Sequence, residues 1–126
     1  MREFKDLSFS IIGACFRVHA RLGPGLLESV YESVLADDLS SNMKVERQVP
    51  VPLVVDGKHF DVAFRADLIV EDSILLEIKS VPALDKAHFK QTLTYTKILD
   101  YRLGLLINFG SDKLEIKRIV NKLSEK

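Results

Sequence analysis

The stretch RADLIVEDSILLEIKS, residues 65–80, reads as two apolar strands joined by the polar turn Glu71, Asp72 and Ser73. Three charges interrupt it: Asp67, Glu77 and Lys79. With the turn centred on Asp72, Asp67 lies opposite Glu77. Directly opposed side chains share a face, with Cβ atoms about 5 Å apart. Strand alternation adds Lys79 to that face. The other face collects Ala66, Leu68, Val70, Ile74, Leu76 and Ile78, a continuous core surface. A slip of one residue would move one strand's charges to the opposite face. Two facing acids repel, and a shared proton, a nearby cation or a divalent metal relieves them. Lys79 is a nearby cation. Hard oxygen ligands also suit Mg²⁺ or Mn²⁺. Such an ion would activate water and neutralise charge on a phosphoryl group. Lys79 would then position that water or stabilise the developing charge. The competing reading is a solvated polar face with an ordinary salt bridge, and the spacing alone leaves both open.

The flanking sequence supplies the scaffold. Leu7, Ile11, Cys15, Val18 and Leu22 recur at spacings of three and four, which predicts a helix over residues 5–22. Gly23, Pro24 and Gly25 stop it. A second helix is predicted over about residues 26–40, with an apolar arc of Leu26, Leu27, Val30, Tyr31, Val34, Leu35 and Leu39. Glu28 falls inside this arc, so it is expected to face the sheet or a cleft. Tyr31, three residues on, reads most simply as a core tyrosine. KVERQVPVPLVV is valine-rich but carries Pro50 and Pro52, which marks an edge or bent strand. Asp56 and Gly57 signal a tight turn. KHFDVAFRADLIV follows as one long strand or two with a bend. A helical pattern returns from about Leu84 to Leu99. Its His88, Gln91 and Tyr95 form one stripe, extended by Ile98 and Leu99, that is expected to border a polar cleft. RLGLLINF reads as a buried strand and KLEIKRIV as a final one. The predicted order ααββββαββ is an α+β (α/β-like) fold on one sheet.

Composition narrows the class. With 126 residues the chain is expected to form a single domain, residues 1–126, and is long enough to bury a core. Lys plus Arg and Asp plus Glu both number 18, so the net charge is zero. That argues against tight nonspecific nucleic-acid binding without a metal, while a local basic rim would still hold phosphate. The single cysteine, Cys15, excludes an internal disulfide and a multi-cysteine zinc site, and reads as a core residue. No apolar run reaches the roughly 18 residues of a membrane span, and the N-terminus lacks a signal-peptide core. The expectations are no membrane association and a cytoplasmic location.

The segment GLLESVY, residues 25–31, matches Gly-x-x-Glu-x-x-Tyr. On this heptapeptide the chain resembles the GxxExxY protein family, classed with the PD-(D/E)xK nuclease superfamily. The likeness extends in order through IIGACFRVHARLGPGLLESVYE, VERQVPVPL, RADLIVEDSILLEIKSV, HFKQTLTYTKI and RLGLLINFG. It implies a central mixed sheet flanked by helices around an αβββαβ core. Asp67 resembles the motif aspartate, Glu77 and Lys79 the Glu-x-Lys pair, and Glu28 the first-helix acid. Gln91 and Tyr95 resemble a Gln-x-x-x-Tyr helix motif. Ala66 stands where the superfamily often has proline.

The resemblance implies a metal-dependent nuclease for DNA or RNA. Glu28, Asp67 and Glu77 would hold Mg²⁺ or Mn²⁺, with the Ile78 backbone carbonyl as a further ligand. Lys79 would orient the attacking water and Gln91 would steady it or the phosphate. Tyr31, His88 and Tyr95 would support the site. Arg65, Lys86, Lys90 and Arg102 would contact the nucleic-acid backbone. The alternative is a noncatalytic module of nuclease fold that binds nucleic acid or a protein partner. A homodimer or larger complex supplying specificity is a third reading, with the proline-interrupted strand as its edge.

Overall fold

A computed structural model describes residues 4–122 and 124. Helices α1 (Phe4–Leu22) and α2 (Glu28–Ser40) precede strands β1 (Val45–Val55), β2 (Lys58–Val70) and β3 (Ile74–Lys79). Helix α3 (Lys86–Leu99) and strands β4 (Leu103–Asn108) and β5 (Glu115–Val120) follow. The five strands form one sheet in the order β1-β2-β3-β4-β5. Only β3 and β4 are parallel, joined by the α3 crossover, so the sheet is mixed. This is a single α+β domain.

Three strands precede α3, where the sequence pattern predicted four. Lys58–Val70 is continuous because β1 pairs with it from Val55↔Lys58 to Val45↔Val70. The two-residue connection Asp56–Gly57 has φ of +48° and +78°, the doubly positive pair of a type I′ hairpin. β1 is a sheet edge, as its prolines require. Its register shifts between Val51 and Leu53, at Pro52.

The two faces of the sheet are covered by different helices. Leu7, Ile11, Cys15 and Val18 of α1 and Tyr31, Leu35 and Leu39 of α2 pack on Leu68, Val70, Leu76, Ile78, Leu105 and Ile107. On the other face, Val51, Phe64, Ala66, Ile69 and Leu75 pack with Tyr95, Ile98 and Leu99 of α3. Cys15 is a core residue, and burial pushes its thiol up to about 12. Among the described residues no helix is long and apolar enough to cross a membrane.

Two expectations need correction here. Ala66 joins the α3-side cluster rather than the face of Leu68 and Val70. Phe64, Ala66 and Ile69 lie on one side, so the alternation skips a step at Asp67. The apolar arc of α2 is also rotated. Tyr31, Glu32, Leu35, Ala36 and Leu39 are buried, whereas Leu27 is 75% exposed and Leu26 and Val30 are exposed as well. Leu26 and Leu27 precede the helix, whose buried face starts at Tyr31.

α3 crosses β4 at Gly104. A Cβ there would collide with the Thr96 hydroxyl, and Thr96 is fully buried. Gly104→Ala is expected to lift α3 and lower stability by about 1–3 kcal/mol, read as a reduced midpoint in urea unfolding.

Candidate active site

The acids sit where regular strand pairing stops. β2 and β3 pair through Val70↔Ile74, Ile69↔Leu75 and Leu68↔Leu76, the register that counting from Asp72 predicts. One step further, side chains replace the ladder. The Asp67 N–H donates to Glu77 Oε2 at 3.0 Å. The Ile78 N–H donates to Asp67 Oδ2 at 2.8 Å. Each acid therefore satisfies a main-chain donor freed as the strands part, which holds both carboxylates at the gap. Strand β1 is irregular at the same level. Gln48 has φ of +49°, and it falls between the pairs Arg47↔Leu68 and Val49↔Ala66.

Burial makes the pair electrostatically costly. Glu77 is 3% exposed. Its carboxyl is pushed up to about 8, first by burial and then by the charge of Asp67, with Glu28 adding to it. Asp67 is also raised, by burial and by Glu32, against the lowering hydrogen bonds from Ile78 and Gln48. Lys79 lowers both acids. Its ammonium donates to Gln91 Oε1 at 3.0 Å, which ties β3 to α3.

Glu28 is exposed at the start of α2 and lines a cleft of about 410 Å³ with Ser29, Glu32, Arg47, Gln48 and Asp67. Its placement depends on the rest of the heptapeptide. Gly25 has φ of +104°, a conformation glycine adopts freely. The Tyr31 hydroxyl donates to the Gly23 carbonyl at 2.5 Å and accepts from the Leu26 N–H at 3.1 Å. Its ring stacks on Phe109 at 4.7 Å. Ser80, directly after Lys79, donates to the Leu26 carbonyl at 2.6 Å. Tyr31 is thus a buried anchor for the loop that presents Glu28, its hydroxyl bonded to Gly23 and Leu26.

Other residues fall elsewhere. His88 closes a capping box on α3: its N–H donates to Asp85 Oδ1, and its Nδ1 accepts from the Asp85 N–H, both at 3.1 Å. Its ring is therefore engaged in capping the start of α3. Tyr95 stacks on Phe64 at 3.8 Å, and burial with nearby Glu77 and Asp67 raises its phenol. Arg102 precedes Leu103, which pairs with Ile74. It therefore lies at the opposite end of the sheet from Glu77 and Lys79. Lys86 lines a separate cavity with Leu84, Phe89, Leu106 and Lys117. Arg65 and Lys90 are exposed on β2 and α3.

Sequence reasoning missed Glu32, Arg47, Gln48 and Asn108. Glu32 is buried and accepts from Arg47 at 3.1 Å and Gln48 at 2.6 Å. Gln48 also reaches Asp67 Oδ1 at 3.3 Å. Asn108 is fully buried opposite Lys79. It binds both the N–H and the carbonyl of Val81 at 3.0 Å and Glu115 at 2.8 Å, fixing the chain that leaves β3. A polar Arg-Gln pair inside a valine-rich strand was the available signal.

The carboxylates of Glu28, Asp67 and Glu77 form an all-oxygen donor set, which fits a hard divalent cation. Among the described residues no three such groups converge on one point. Glu28 is exposed and has no side-chain hydrogen-bond partner among the described residues.

A family model described as the PD-(D/E)XK nuclease superfamily matches residues 5–119. No curated protein matches. Among solved structures, a crystal structure of SSO0001 aligns with a TM-score of 0.61 at 24% identity, covering 76% of this chain and 51% of that one. At that identity the likeness carries the fold alone, and this chain spans about half the length of the other.

The acid pair carries a pH dependence. Glu77 ionises near 4.5 in the unfolded chain but near 8 in the fold. Between those values the folded state holds the extra proton, so stability falls as pH rises through the window and levels off above it. Without divalent metal, melting temperature is expected to drop by a few degrees per unit from about pH 5 to 8, a slope of roughly 1 kcal/mol per unit. Glu77→Gln should flatten this profile. A wild-type melting temperature constant over the window would contradict the burial of that proton.

Proposed function

The chain belongs to the PD-(D/E)XK nuclease superfamily, and on that footing we propose that it is a metal-dependent phosphodiesterase of the GxxExxY type that cuts DNA or RNA. One observation carries the reading. Asp67 and Glu77 are held together by backbone N–H groups at a break in strand pairing, beside a lysine tethered by Gln91. A purely structural role would not need a buried acid, Glu77, whose pKa the neighbouring charge of Asp67 raises further.

Glu28, Asp67 and Glu77 would hold Mg²⁺ or Mn²⁺, with the Ile78 carbonyl as a further ligand. When bound, such an ion supplies a nucleophilic water at neutral pH and neutralises charge on the phosphoryl oxygens. The superfamily's general use of divalent metals supports this cofactor class. Lys79 orients the attacking water or stabilises charge developing on the phosphate. Gln91 holds the Lys79 ammonium in place, and the Phe64–Tyr95 stack fixes the helix that carries Gln91. Arg65 and Lys90 offer exposed charge for the nucleic-acid backbone.

The noncatalytic reading draws on one observation, the failure of three ligands to converge. Two measurements separate it from catalysis. Lys79→Ala is expected to reduce Mg²⁺- or Mn²⁺-dependent cleavage by at least ~100-fold while the protein stays folded by circular dichroism. Calorimetry is expected to show saturable Mn²⁺ binding that Asp67→Asn and Glu77→Gln each abolish. Cleavage that survives in Lys79→Ala would sink the catalytic assignment, and absent metal binding would favour the noncatalytic module.

A further inference from the structure

Arg47 and Gln48 are neighbours on β1, yet both bind the same buried carboxylate, that of Glu32. In a regular strand adjacent side chains point to opposite faces. The positive φ of Gln48 breaks that rule and turns both toward the cleft. Arg47 donates through Nε and Nη2 to Glu32 Oε2, at 3.3 and 3.1 Å. Its Nη1 has no partner among the described residues. The Arg47 side chain is 46% exposed, whereas that of Glu32 is 7% exposed. Arg47 is also the one basic residue lining the cleft with Glu28 and Asp67.

We propose that Arg47 is a phosphate-binding residue: its free guanidinium edge takes a phosphodiester of the nucleic acid adjacent to the one being cut. The nucleic-acid identity of the ligand rests on the nuclease reading above. Guanidinium groups bind phosphate oxygens through paired N–H donors, and one edge anchored on a carboxylate leaves the other preset for the ligand. Neutralising Glu32 would need only Arg47 from a regular strand. The kink adds Gln48, which bridges Glu32 Oε1 to Asp67 Oδ1. The phosphate handle and the reacting centre are thereby held in one frame, the positioning that catalysis uses.

The test is fluorescence anisotropy with labelled single- and double-stranded DNA and RNA oligonucleotides, in a Lys79→Ala background that does not cut, across a salt series. Arg47→Ala is expected to weaken binding about tenfold or more. It should also lower the slope of log affinity against log salt by about 0.9 on duplex or 0.7 on single strands. Arg47→Lys should recover part of the loss. Arg118→Ala, the same charge change on β5 at the sheet edge opposite β1, should leave affinity unchanged. The pair Glu32→Gln with Arg47→Ala removes the buried charge, so the loss can be read in a folded protein. In the cleaving protein the Arg47→Ala defect should fall on KM more than on kcat. Unchanged affinity in both Arg47 variants overturns the proposal. Arg47-dependent binding without cleavage by the wild type overturns the catalytic reading and leaves this one standing. Failure of every oligonucleotide to bind overturns both.

Discussion

A buried carboxylate, Glu77, and a half-buried one, Asp67, are held side by side by the main-chain donors that strand separation exposes. Asp67 takes the N–H of Ile78, and Glu77 takes the N–H of Asp67. If β2 and β3 stayed paired past Leu68↔Leu76, those donors would be used by the ladder and the acids would repel without compensation. The parting of the strands opens the gap, and the gap supplies the hydrogen bonds that make the acids tolerable there. The frustration that remains, visible in the raised Glu77 carboxyl, is the electrostatic demand that a bound cation would meet.

The rest of the fold serves that gap from three sides. From α2, the Tyr31 anchor and the Ser80 tie set where Glu28 emerges. From α3, Gln91 holds Lys79, while Gly104 lets the helix lie close on the sheet. From β1, the turn at Gln48 breaks the edge strand and links Glu32 to Asp67. Asn108 fixes the exit of β3 through Val81 and Glu115. These contacts are polar and run from part-buried to exposed, and the described residues leave no buried side-chain polar atom without a partner. A fully satisfied polar network rigidifies its surroundings, whereas a partly satisfied one costs stability.

Much of this was legible in the chain. The spacing about Asp72 placed Asp67 against Glu77 because a short hairpin turn sets the register on both sides. The prolines marked β1 as an edge because proline cannot donate to a ladder. Asp56-Gly57 marked the hairpin because both residues take φ above zero there. Glu28 stood out as an acid among apolar neighbours, although the neighbours themselves turned out to be exposed. The resemblance carried by GLLESVY and LLEIK agrees with the superfamily match.

Local pattern alone determined the helix positions, the register between β2 and β3 and the presence of an acid pair with a lysine nearby. These follow from chain periodicity and turn geometry, which act over a few residues. Tertiary structure decided which polar residues meet. His88 became a cap rather than a site residue because Asp85 lies three positions before it at a helix start. Arg102 fell away from the acids because parallel pairing sets Leu103 against Ile74. Glu32, Arg47 and Gln48 joined the cleft because α2 packs across the edge strand, sixteen positions or fewer along the chain but on a different element. A contact between elements depends on how two surfaces pack, and no periodicity within either segment encodes it.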